Sequence, residues 1–183
     1  MTKLCFIDTE TTGLDRRRRR IWDFACIVRE EGQADVEHQF FIEVSLRNAD
    51  PFGLNIGHFW ERYPGWQVAG RRGARRDGLL KSPWDAAQTI MELTTGATWV
   101  GAVPSFDEES CEALLHRAGR FPRWDYHLVD VETAAAALAG ISPPWKNDVV
   151  NLAYNIQVAP EDRHTALGDA RACRDLYDAV FKP

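Results

Sequence analysis

The first apolar segment, Lys3 to Asp8, is continuously hydrophobic rather than alternating, the pattern of a central strand buried on both faces. Ile21 to Arg29 and Glu37 to Val44 read as two further strands joined through the turn signal at Glu31-Gly32, and their close spacing predicts a meander. Ser45 to Lys81 is less regular. Within it Asp50-Pro51 pairs a capping acid with proline at the first helical position, predicting a short helix from Pro51 to about Tyr63. Ser82-Pro83-Trp84-Asp85 opens a clearer helix, expected to run to about Leu93 and stop before Gly96. Thr98 to Val103 follows as a short buried strand, Asp107 to Ala118 as a helix ending at Gly119, and His127 to Val131 as another strand. An alanine-rich helix ending near Gly140, then Asn147 to Asn155 and Thr165 to Phe181, complete the chain. Early strands followed by alternating helix and strand predict an α/β domain with a mixed sheet flanked by helices, a single domain over residues 1–183.

Composition changes this picture little, and charge changes it locally. With 183 residues, 45% hydrophobic and 27% charged, the chain is long enough for one packed core and too apolar to be disordered. The formal net charge of −5 excludes a basic nucleic-acid coat. Yet Arg16 to Arg20 are an unbroken run, and Arg71, Arg72, Arg75, Arg76 and Lys81 form a second group. Those clusters hold 10 of the 22 basic residues, so local potential matters more than the net value. Cys5, Cys26, Cys111 and Cys173 are far apart without CxxC spacing, as expected of buried free thiols in a reducing compartment. The apolar stretch after Lys3 is broken by Asp8, and Ala134 to Ile141 is too short to span a bilayer, so the expectation is a soluble, intracellular, cytoplasmic protein without a membrane partner. Of seven tryptophans, Trp22, Trp84 and Trp99 are expected in the core; Trp60, Trp66, Trp124 and Trp145 fall in irregular segments, available for packing or for stacking on bases.

The first strand also carries chemistry. Asp8 and Glu10, spaced i, i+2, project from one face of the sheet together with Leu4 and Phe6. Two acids at the edge of an apolar wall are costly unless a cation sits there, and a divalent metal satisfies them. Asp107 shares a spiral row with Cys111 on a helix that buries Leu114, Leu115 and Ala118. Asp169 falls within the stripe Ala166, Ala170, Cys173, Leu176, Tyr177 and Val180. Interaction with the helix dipole accounts for Asp107 by itself, whereas an inward-facing Asp169 needs a partner. His164 precedes Asp169 by five residues, a rotation of about 140° on a helix, so the histidine belongs to the preceding loop if both serve one site.

Phe-Ile-Asp8-Thr-Glu10-Thr-Thr-Gly-Leu14, Ser-Phe-Asp107 and His164-x4-Asp169 together resemble the three motifs of the DEDDh 3′-to-5′ exonucleases, the RNase H-like proofreading and RNA-trimming nucleases, in matching order from residue 8 to residue 169. The resemblance implies an RNase H-like sheet and release of nucleoside 5′-monophosphates from single-stranded 3′ ends. It implies two Mg²⁺ or Mn²⁺ ions held by Asp8, Glu10, Asp107 and Asp169, with His164 as general base. It further places Thr11, Thr12, Leu14 and Phe106 against the terminal nucleotide. Single-stranded DNA or RNA is the implied partner, with a polymerase or other replication protein as a second candidate. The position of Arg16, Arg17 and Arg18 just after the first motif suits either phosphate contact or a solvated loop. One departure stands out: Ala102-Val103 occupy positions where many relatives carry His-Asn, and valine cannot hydrogen-bond to substrate there.

Two other function classes compete. One is a non-catalytic nucleic-acid-binding or scaffold domain that keeps the nuclease fold; complete retention of the acids and the histidine argues against it. The other is an RNase H-like endonuclease or resolvase, disfavoured by His164-x4-Asp169.

Overall fold

A computed structural model of the chain describes residues 3–64 and 79–181. Strand β1 (Lys3–Thr11) pairs antiparallel with β2 (Ile21–Glu30), which pairs antiparallel with β3 (Val36–Ile42), giving the expected meander. On the other side of β1 the chain returns in parallel, as β5 (Thr98–Gly101) and then β6 (Val129–Asp130). A two-residue strand β4 (Leu80–Lys81), which has too little pattern to be read from sequence, adds in parallel to β3. The sheet order is β4-β3-β2-β1-β5-β6, a mixed sheet with β1 inside it.

Helices cover both faces. On one face α3 (Pro83–Thr94) and α4 (Pro104–Arg117) pack Ile90, Cys111 and Leu115 against Cys5, Ile7, Phe24 and Trp99. On the other, α5 (Val131–Leu138), α6 (Asn147–Ala153) and α7 (Ala166–Phe181) bring Val131, Val150, Ala170 and Leu176 to Phe6, Ala25, Ile27 and Val100. Successive residues of β1 thus feed opposite cores, and each large side chain sealed from water contributes roughly 1.5–3 kcal/mol. All four cysteines are buried and free. No helix among the described residues is long and apolar enough to cross a membrane.

The expected helix from Pro51 to Tyr63 is two short helices, α1 (Pro51–Ile56) and α2 (Phe59–Arg62). His58, with φ 55°, breaks the hydrogen-bonding between them, while Asp50 caps α1 as anticipated. Trp22, Leu54, Phe59 and Tyr63 build a third core beneath this pair. The strand expected to reach Val103 stops at Gly101, because Val103 (φ 55°) turns the chain directly into α4, three residues before Asp107. The strand expected from His127 to Val131 contracts to Val129–Asp130, Asp130 being the N-cap of α5. Trp84 is 58% exposed at the start of α3 rather than in the core. Trp124 packs on buried Trp99 with ring centroids 4.3 Å apart, and Trp145 packs against the α5–α7 core. Arg71, Arg72, Arg75, Arg76 and Trp66 lie outside the described residues.

Candidate metal and catalytic site

Because side chains alternate along a strand, Asp8 and Glu10 follow Phe6 onto the α7 face, where Asp169 meets them as the fourth residue of α7. Ligand oxygens of Asp8, Glu10 and Asp169 lie within 4.8 Å of one another, and all three residues are half-buried. Three hard oxygen donors converging at this spacing fit a divalent cation. Gly57, between α1 and α2, backs the cluster: a Cβ there would lie 2.7 Å from Glu10 Oε2 and 2.9 Å from the Trp22 ring. Only glycine lets the backbone approach the carboxylate so closely.

Asp107 arrives from the opposite face. Thr9, between the two strand acids, points toward α4 and donates its hydroxyl to Asp107 Oδ1 at 2.7 Å; Asp107 is 3% exposed. Burial, then the charges of Asp107, Asp169 and Glu10, pushes the Asp8 carboxyl well above the usual carboxylate range. Burial chiefly raises Glu10 to about 8, helped by Asp169 and Asp23 and opposed by Arg62. It raises Asp107 to about 7 against the Thr9 hydrogen bond, and Asp169 to about 6 against the Arg62 charge. These shifts mark a concentration of negative charge that metal-free protein relieves by taking up protons and that a cation relieves without them.

His164 is exposed on the loop before α7, as its spacing from Asp169 requires, with φ 54°. A Cβ at Gly168 would lie 2.0 Å from the Asp162 carbonyl, so glycine lets this loop fold back onto the start of α7. His164, Asp8 and Asp169 line one cleft of about 300 Å³. Arg62 ties this loop to the α1–α2 corner, donating Nη1 to the His164 carbonyl at 3.3 Å and to the Gly57 carbonyl at 3.0 Å. Its Nη2 pairs with fully buried Asp23, which also accepts from Gln39 at 3.1 Å and from the Ala166 amide at 3.4 Å.

The remaining candidates separate. Leu14 is 76% exposed at the end of the β1–β2 turn, whereas Thr11 and Thr12 are buried. The Thr11 hydroxyl donates to the Gly13 carbonyl at 2.9 Å, and that of Thr12 accepts from the Arg20 amide at 3.0 Å. Arg16, Arg17 and Arg18 are exposed; Arg16 pairs with Glu109 at 3.3 Å and Arg18 with Asp15 at 3.5 Å. Arg19 turns inward to Ser110 (2.8 Å), the Phe106 carbonyl (3.0 Å) and Glu109 (3.0 Å), its guanidinium 3.8 Å from the Phe106 ring centre. Phe106 is therefore clamped by the arginine run. Asp23, Arg62 and Gly57 join the site from outside the sequence motifs, as do Lys146, Asn147, Asn151 and Arg163, which line the cleft beside Ala102. Asp23, a charged residue inside an otherwise apolar strand segment, was the one available signal among them.

No protein-family model and no curated protein sequence matches the chain. Solved structures do. The zinc-bound complex of E. coli exonuclease I with single-stranded DNA aligns over 100% of this chain with a TM-score of 0.72 at 16% identity. The fold is that of exonuclease I. An exonuclease I complex with SSB-Ct gives a TM-score of 0.67 at 17% identity, and exonuclease I of Methylocaldum szegediense 0.65 at 23%, each over 100% of this chain. The chain spans only 41% of the E. coli and M. szegediense exonuclease I chains and 42% of that in the SSB-Ct complex.

Proposed function

We propose that residues 1–183 form a metal-dependent exonuclease domain that removes nucleoside 5′-monophosphates from the 3′ end of single-stranded nucleic acid. The observation that carries this reading is the meeting of Asp8, Glu10 and Asp169 oxygens within 4.8 Å, with Asp8 and Asp169 lining one cleft with His164, on the exonuclease I fold. Asp8, Glu10 and Asp169, with Asp107 completing the set, would hold two divalent ions, Mg²⁺ or Mn²⁺. When bound, these supply a low-pKa water and stabilise charge on the leaving 3′ oxygen.

The protein's own residues do the rest. His164, exposed at the cleft mouth, takes the proton from the attacking water. Arg62 holds the His164 backbone and the Gly57 corner behind Glu10 in fixed relation. Leu14 is free to wedge against the terminal base, and Thr11 and Thr12, with hydroxyls and backbone engaged within the fold, hold the turn that presents it. Arg16 to Arg18 face solvent on the turn that follows the strand acids, and would contact strand phosphates there. Lys146 and Arg163 supply positive charge within the cleft.

Single-stranded DNA is the favoured substrate because exonuclease I on this fold holds it, and the SSB-Ct complex supports a replication protein over a polymerase as partner. Matched linear DNA and RNA strands labelled at either end, with a closed circle as control, test the reading. Early release of 3′ label as mononucleotide with the circle intact is expected. A nicked circle would indicate an endonuclease, and binding without hydrolysis a non-catalytic domain.

A further inference from the structure

A second and larger groove, about 540 Å³, opens on the α3–α4 side of the β1–β2 turn. Its floor is apolar, made by Ile21, Ile42 and Leu114, with exposed Trp84 on the rim. Arg18, Arg20, Arg47 and Arg117 surround it, against Glu43 as the acid among the lining residues. Arg120 lies over the Trp84 ring at 4.2 Å and adds a fifth guanidinium at the edge.

Of these cations Arg18 pairs with Asp15 at 3.5 Å, and the others lack a carboxylate partner among the described residues. Arg47 and Arg117 are exposed, and neither guanidinium has a hydrogen-bond or carboxylate partner among the described residues. Arg20 uses Nη1 on the Arg18 and Arg19 carbonyls, which hold it in place and leave its charge unneutralised. Burial and the charge of Arg20 together pull Arg117 below its ordinary value, as when two guanidiniums face one another. Arginines without carboxylate partners beside an aromatic ring suit a multiply charged phosphodiester chain carrying bases.

The groove lies at the same end of β1 as the acid cleft, on the other face of the sheet. The Thr12 amide donates to the Arg20 carbonyl at 2.9 Å, and the Arg20 amide to the Thr12 hydroxyl at 3.0 Å, so Arg20 sits beside Thr12. Thr12 is two residues beyond Glu10, about 7 Å of extended chain. A strand ending at Asp8 and Glu10 has to leave the site, and one that passes over the turn at Thr12 meets this positively charged groove. An acidic peptide would match the charge but has no reason to adjoin the acid cleft.

We propose that the groove holds the sugar–phosphate backbone upstream of the 3′ end, with Arg20 and Arg117 on one phosphate, Arg47 on another and Trp84 offering its ring to a base. The direction of the strand rests on the exonuclease reading. The test is fluorescence anisotropy of a 5′-labelled oligo-dT dodecamer, titrated against salt in EDTA, with Arg47→Ser/Arg117→Ser and the parent protein. These exposed, unpartnered arginines are removable without loss of fold, which a circular-dichroism melt verifies. The variant is expected to bind the dodecamer more weakly, with the log–log salt slope reduced by about 0.7 for the phosphate that Arg47 contacts, Arg20 remaining on the other. The affinity gained between a trinucleotide and the dodecamer should also shrink. An unchanged slope overturns the proposal, as does unchanged dodecamer binding in a variant that loses a labelled acidic peptide. Since binding is read without hydrolysis, parent protein that binds but releases no nucleotide would overturn the exonuclease reading alone. A normal slope change would still support the groove.

Discussion

Asp107 and Asp169 are each the fourth residue of an inward-facing helix, α4 and α7, yet the molecule treats them differently. Asp107 is sealed, 3% exposed, and bonded to the Thr9 hydroxyl at 2.7 Å. Asp169 is half-buried, clusters with Asp8 and Glu10, and lines the cleft beside His164. The helices are alike in this respect; the strand between them is not. Even-numbered Asp8 and Glu10 face α7, while odd-numbered Thr9 faces α4. Helical phase therefore brings both acids inward, and the parity of β1 decides which enters the open cluster and which approaches from behind.

The comparison breaks most visibly at the open cluster. Asp169→Asn or Asp8→Asn is expected to abolish hydrolysis with the fold intact, and to raise rather than lower the metal-free melting temperature, because acid–acid repulsion is relieved. Nucleotide release and thermal melts in EDTA report the two effects. His164→Ala, on the same side, is expected to slow turnover by on the order of 10²–10⁴-fold while Mn²⁺ affinity, measured by calorimetry, stays close to the parent value. Collapse of metal binding would make His164 a ligand or a structural residue.

A smaller effect concerns pH. Glu10, Asp107 and Asp169, at about 8, 7 and 6 in the fold, lie above their ordinary values of 4.5, 3.8 and 3.8, so the metal-free folded state binds more protons than the unfolded chain across that window. The stability this supplies is complete below the ordinary values and is lost as pH rises through 6 to 8. Melts in EDTA should therefore fall from pH 5 to pH 8.5, and millimolar Mg²⁺ should restore the high-pH value. Smallest is Thr9→Val, which preserves shape but leaves Asp107 without its hydroxyl donor, at a cost of about 1–3 kcal/mol in denaturant unfolding. Asp169 has no such dependence on Thr9, so its behaviour in that variant sharpens the contrast.

Period-two alternation along β1, the helical stripes carrying Asp107 and Asp169, and the five-residue gap to His164 are local patterns, and they made the strand acids, helix acids and loop histidine legible in the sequence. What escaped depends on distant residues meeting. Arg62 and Asp23 are 39 positions apart, and Asp23 and Ala166 143, so neither pairing leaves a local signature. Gly57 carries a constraint visible only once Glu10 is placed behind it. The arginine run looks uniform, yet the fold buries Arg19 under Phe106 and leaves Arg16 to Arg18 in solvent. Trp84 passed for a core residue because its helix is amphipathic, but it sits in the exposed first turn beside Pro83.

Mononucleotide release from a 3′-labelled single strand, followed as a function of Mg²⁺ in parent protein and Asp169→Asn, tests the central claim most directly. The account predicts release that rises with Mg²⁺ and vanishes in EDTA for the parent, and none at any Mg²⁺ concentration for the variant. Release in EDTA, or variant activity within a few-fold of the parent, would contradict it.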